Sequence, residues 1–252
     1  MSALVIARHE WRRQLVQPFV WTLAAIVIAL MAWQFLLALA GFVQISAQLN
    51  AQANAPGVTD LVAVPLLGTL SNLLLLIVPL LTMRSFAGER RAHTLPLLLA
   101  AGISDSRIVI GKYLGALGIV LAILALIVLM PLALGFGTSL DLGKLTAATL
   151  GLALFAAALT AIGVLCSAWT AQPALAAGAA LALASVLSVL DLGARMQGIE
   201  NDAINYFALP THLQPFFRGI VASIDIVYFL LIVAVCLILA TRRLNDLRWH
   251  PD

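Results

Sequence analysis

A chain of 252 residues that is 63% hydrophobic and 10% charged cannot cover a water-facing surface, because soluble domains carry about 25% charged residues; lipid is its main solvent. Its net charge of +3 does not signal nucleic acid, since the basic residues lie at the ends of apolar runs and form no separate soluble patch. Cys166 and Cys236 sit inside apolar runs with no CxxC and no histidine beside them, so neither a disulfide framework nor a thiolate metal site is expected.

The chain opens with 1–16, where Leu4, Ala7, Trp11 and Leu15 recur at helical spacing. Arg8, Arg12 and the Glu10, Arg13 and Gln14 group lie mostly off that stripe. The pattern predicts an amphipathic helix lying on the cytoplasmic membrane surface; the alternative is a cytoplasmic extension of the first span. No secretory signal is expected, because the start is polar and basic and the apolar run behind it is too long for an h-region.

Six apolar runs of roughly 20 residues, enough to cross a bilayer, are expected at 18–41, 61–83, 108–135, 145–167, 173–192 and 224–240. Each reads as continuous helix, since lipid offers no partner for a free backbone polar group. Gln34 in the first span and Asn72 in the second are the polar groups placed at depth; they bond between helices or line a translocation path. Lys112, Asp191 and Asp225 fall near span ends, where they are expected to reach water, and no charge is expected buried at depth. Only 168–172 separates the fourth and fifth spans, which predicts a tight helical hairpin. Gly151, Ala156, Thr160 and Gly163 on one arm, and Ala176, Ala177, Gly178, Ala179 and Ala180 on the other, allow close helix approach.

Eleven of the 14 Lys and Arg residues flank one side, leaving Lys144, Arg195 and Arg218 on the other. The positive-inside rule then puts both termini in the cytoplasm and 41–60 outside.

The longest cytoplasmic piece, 84–107, reads RSFAGERRAHTLPLLLAAGISDSR. Thr94 can cap a short helix with Pro96 in its first turn, and Gly102 can end it. Ser104 or Asp105 can cap the next span. Charges on one side and leucines on the other suit docking to a partner, since a topological anchor needs no exposed cytoplasmic leucines. Outside, 193–223 holds Asn205, Tyr206, Phe207, Pro210, Thr211, His212, Pro215, Phe216, Phe217 and Arg218, which predicts short interfacial or re-entrant helices between the last two spans. His212 has no second ligand at helical spacing and reads as a polar interfacial residue rather than a metal ligand.

Motifs of chemistry are absent from the sequence. Gly111–Lys112–Tyr113 and Gly143–Lys144–Leu145 lack the rest of a phosphate-binding loop, and Arg13 occupies the second histidine position after His9–Glu10. No GxSxG occurs. The chain is read as non-enzymatic, with no cofactor or metal of its own, so the energy or chemistry comes from another chain.

The start ARHEWRRQL, the loop FAGERRAHTLPLLLAAGISDSRIVIGKYLGA and the stretch LPTHLQPFFRGIVASIDIVYFL resemble, in order and spacing, the ABC type-2 (ABC-2) transporter permeases, and within them the GldF/NosY-like branch. The resemblance spans essentially 1–252 as one transmembrane domain; His93 and Pro96 stand where that family has Gly and Glu. It implies an all-α membrane subunit of an exporter or force-transmitting complex in the bacterial inner membrane. It also implies a separate cytoplasmic ATPase that binds ATP and Mg, a second permease protomer (identical or similar), membrane lipid, and a periplasmic auxiliary protein. By the same resemblance 84–102 is the coupling helix, with Glu89, Arg90, Arg91, Thr94 and Leu95 at the ATPase. Pro210, His212, Pro215, Phe216 and Phe217 form an external gate region. Two other classes fit an apolar helical chain: a secondary transporter or channel, which predicts buried charges or inverted repeats, and a scaffold that moves no substrate.

Overall fold

Backbone amides in apolar surroundings must be satisfied within their own segment, and every regular element among the described residues is a helix. A computed structural model describes residues 3–49, 57–100, 102–196 and 207–249. Helix α1 (Ala3–Leu15) breaks at Val16–Gln17, just before α2 (Pro18–Leu49) starts with a proline that needs no amide partner in a first turn. A π-helical turn, Thr59–Ala63, leads into α3 (Val64–Thr82). Two short helices, α4 (Ala87–Arg91) and α5 (Leu95–Ala100), precede α6 (Asp105–Ala133). Then come α7 (Leu142–Trp169), α8 (Pro173–Met196), α9 (Leu209–Phe217) and α10 (Ser223–Trp249).

Five helical stretches are long and apolar enough to cross a membrane: Pro18–Ile45, Thr59–Arg91, Asp105–Phe136, Leu142–Trp169 and Ser223–Trp249. They cover five of the six expected runs. The other expected run lies in α8, whose apolar stretch among the described residues is Pro173–Val189, shorter than the usual span of about 20 residues.

Helix α7 is the hub. It packs on α3, α6, α8, α9 and α10 because its small residues let neighbours approach. A Cβ on Gly151 would stand 2.5 Å from that of Phe216, and one on Gly163 would run into the Thr82 side chain. In lipid, burial of apolar groups between helices gives little net drive, so such close packing and polar ties hold the bundle instead. Leu67, Leu70, Ile127, Leu152, Leu159 and Phe229 fill the centre. Helix α2 lies at the margin, with Val20, Val27 and Met31 as its buried residues among those described.

The polar groups depart from expectation at Lys112 and Asp225. Gln34 and Asn72 are both exposed, and neither bonds to a neighbouring helix among the described residues. Lys112 and Asp225 do lie near helix ends but do not reach water: they are 2% and 5% exposed, and Glu10 is buried with them. Lys112 is sealed by carboxylates from α1 and α4, and Asp225 by the His212 ring of α9. The side chain of Asp191, and Asn205 and Tyr206, fall outside the described residues.

Candidate functional site

The end of the bundle that carries the start of α6 is rich in basic residues, and its geometry begins with two glycines. Gly111 and Gly115 stand one turn apart on α6. A Cβ on the first would lie 2.7 Å from Cβ of Ile6, and on the second 2.7 Å from Cβ of Glu10. Helix α1 therefore crosses α6 at backbone distance, which places Glu10 beside Lys112. The buried line of α1 is polar, with Glu10 and Gln14 inside, while Val5 and Trp11 are exposed. Of the expected stripe, Trp11 is exposed while Ala7 and Leu15 are half-buried, the Ala7 carbonyl lying against Gly115 (Leu4's side chain falls outside the described residues), and Glu10 and Gln14, off that stripe, pack inward rather than into water.

Lys112 organises what surrounds it. Its Nζ donates to the Ser85 carbonyl at 2.8 Å and to Oε1 of Glu89 at 2.5 Å, and lies 3.5 Å from Oε2 of Glu10. It also sits 5.1 Å from the centre of the Phe86 ring. Arg13 donates to Glu89 at 3.0 Å and to Glu10 at 2.7 Å, and Gln14 donates to Glu10 at 3.1 Å. Two cations balance two carboxylates, which is the condition for keeping such charges out of water.

Two further side chains pin the segment between α3 and α6. Ser167 of α7 accepts from the amides of Phe86 and Ala87, at 3.0 and 3.1 Å, and donates to the Met83 carbonyl at 3.0 Å. Arg248 of α10 donates to the Ile103 carbonyl at 2.8 Å and pairs with Asp105 at 2.7 Å. Between these pins the chain reverses at His93, whose φ is +55, and leaves α5 at Gly102, φ +69. Gly102 ends the helix as its freedom at positive φ allows. The Thr94 hydroxyl turns back to the Glu89 carbonyl at 3.4 Å, closing the turn behind α4.

Of the residues singled out in this segment, Arg91 and Thr94 are exposed, and Glu89 and Arg90 are half-buried. Leu95 is buried, packed with Phe86, Ile108, Val164, Leu244 and Leu247. Sequence reasoning missed Ser167, Gln14 and the inward role of Glu10. The only trace of Ser167 was a polar residue at the end of an apolar run.

At the opposite end, α9 carries the expected external residues. Phe216 is buried against Gly151; Pro210, Pro215 and Phe217 are half-buried. His212 is not an open interfacial side chain: it is buried, with Nδ1 2.7 Å from Oδ1 of Asp225, and it stacks on Tyr228 with ring centres 3.9 Å apart. The Tyr228 hydroxyl donates to the Phe207 carbonyl at 2.7 Å. Asp225 comes from the next helix after the turn at Gly219, φ +82, so spacing within one helix did not reveal it. Lys144 pairs with Asp60 nearby. No cluster of three or more His, Cys, Asp or Glu side chains suited to a metal occurs among the described residues.

No curated protein matches the chain. Residues 4–245 match the family described as ABC-2 family transporter protein.

Proposed function

Because the chain belongs to the ABC-2 transporter family, and so is a membrane permease component of an ABC transporter, we propose that it is driven by a separate cytoplasmic ATPase seated on 84–102. The observation that carries this reading is the fastening of that segment. Lys112 from α6 and Ser167 from α7 hold it near its start, and Arg248 from α10 holds the Ile103 carbonyl just past its end. A push on such a platform moves three long helices together, a rigid-body transition rather than a local one. Arg91 and Thr94 face outward and meet the ATPase, with Arg90 at the edge. Glu89 and Leu95 face inward and pass the load to α1, α6 and α10.

In this reading ATP and Mg stay on the ATPase, both termini are cytoplasmic in a bacterial inner membrane, and α8 completes six spans. Helix α1 lies at the membrane surface with Trp11 toward lipid. A second protomer, identical or similar, pairs with this one; the exposed Gln34 and Asn72 face it or the path between the two. Pro210, His212, Pro215, Phe216 and Phe217 form the outer gate, and the complex exports a substrate or passes force to a periplasmic partner, as in the GldF/NosY-like branch. The buried ionisable groups Lys112 and Asp225 lie near helix ends against partners from other helices, which favours this reading over an ion-coupled carrier, where a charge at mid-span would be used.

Purification of the tagged chain in nanodiscs tests it. A co-purifying ATPase, released by Arg91→Glu but retained by Arg242→Glu, is the expected outcome. Recovery of the folded chain alone would overturn the reading and leave a carrier or scaffold.

A further inference from the structure

A cavity of about 470 Å³ opens behind the fastened segment, lined by Arg90, His93, Leu95, Leu99, Ala171 and Arg248 among others. Its lining is of two kinds. Arg90 brings a guanidinium, Arg248 a second one that Asp105 already pairs, and His93 a ring nitrogen, while Leu95, Leu99 and Ala171 are apolar. Asp105 is paired with one Arg248 nitrogen, and Nε of Arg248 is buried without a hydrogen bond among the described residues. His93 holds its place at φ +55, a backbone conformation that residues with side chains seldom take.

The position of the cavity identifies its ligand class. Ala171 lies two residues past Trp169, which is exposed and has the Arg243 guanidinium 5.9 Å from its ring centre. Trp249, next to Arg248, is 73% exposed. Exposed tryptophans interleaved with arginines mark headgroup depth on a membrane protein. Basic pockets between helices at that depth take anionic headgroups, with apolar walls for the glycerol and upper chains. We propose that this cavity binds the headgroup of an anionic phospholipid. The phosphate lies between Arg90 and Arg248 and accepts from His93, and the chains run along Leu95 and Leu99. Such a lipid bridges the α4–α5 turn to α10, so the membrane's anionic content sets how firmly the segment is held.

The test uses the full chain in nanodiscs of phosphatidylcholine alone or mixed with phosphatidylglycerol, read by native mass spectrometry of retained lipid and by the unfolding midpoint. Phosphatidylglycerol is expected to be retained selectively and to raise the midpoint. Arg90→Gln is expected to weaken that retention about fivefold, the effect of one cation near a membrane surface, and Arg90→Lys to keep most of it. Arg242→Gln, an exposed cation outside the cavity, should leave it unchanged. His93→Gly is the second variant, because it relaxes the left-handed backbone: the midpoint without anionic lipid should rise by about 2–4 °C while lipid selectivity falls. Equal retention of both lipids, or equal losses from Arg90→Gln and Arg242→Gln, would overturn the proposal. So would glycerol 3-phosphate binding as tightly without acyl chains, which would assign the cavity to a soluble anion. Displacement of phosphatidylglycerol by a bound ATPase would assign it instead to that partner.

Discussion

Lys112 is the residue on which the charge balance of the basic end turns. It is 2% exposed and reaches Glu89, Glu10 and the Ser85 carbonyl. Lys112→Met keeps the apolar stem but leaves two carboxylates with Arg13 as their remaining cation. Removing one partner of a buried pair costs on the order of 3 kcal/mol, so the unfolding midpoint in detergent should fall. The double variant Lys112→Met with Glu89→Gln should recover part of that loss, since the penalty belongs to the unpaired charge. A double variant no more stable than the single one would refute this account. The sequence showed a cation near the end of an apolar run and went no further. Its partners come from α1 and α4, and charge pairing across helices leaves no local pattern. His212 and Asp225 were hidden in the same way by the turn between α9 and α10.

At the scale of elements, α1 is a structural part of the bundle. Its register on α6 depends on two missing side chains, at Gly111 and Gly115, as much as on any contact made. Gly115→Ala would put a Cβ 2.7 Å from Cβ of Glu10 and 3.1 Å from the Ala7 carbonyl. Both neighbours are part of helix α1, so the helix itself must shift. Overpacking of this kind costs about 1–3 kcal/mol. Hydrogen exchange across residues 3–15 should quicken in that variant, while a Gly41→Ala control, with nothing within 4 Å of the added Cβ, should not differ from the parent. A helix over this segment was readable from the 3.6-residue period. Which face meets protein was not, because the buried face proved to be the polar one, matched to a partner helix. The short helix α5 was legible from Pro96 and Gly102, though Thr94 closes the turn behind α4 rather than capping α5, and α4 itself was not foreseen.

For the molecule as a whole, the distribution of basic residues predicts sidedness. With Cys166 and Cys236 replaced by alanine, a cysteine at Arg242 should react with an impermeant maleimide only from the cytoplasmic side. A cysteine at Thr138, exposed after α6, should react only from outside. Labelling of both from one side would contradict the positive-inside assignment.

Composition and run length by themselves determined that this chain is helical and lives in lipid, because an unpaired backbone amide is too costly there for any open alternative. The order of motifs pointed to its family, the ABC-2 transporters, whose description matches residues 4–245. The tertiary structure decided what holds 84–105, which of its side chains face inward, and where a mixed basic and apolar cavity opens. The reason is physical. Helix formation and membrane insertion depend on properties summed along a segment, which a sequence displays. Charge neutralisation, and the fit of Glu10 and Phe216 against bare glycines, depend on residues far apart in sequence meeting within a few ångströms.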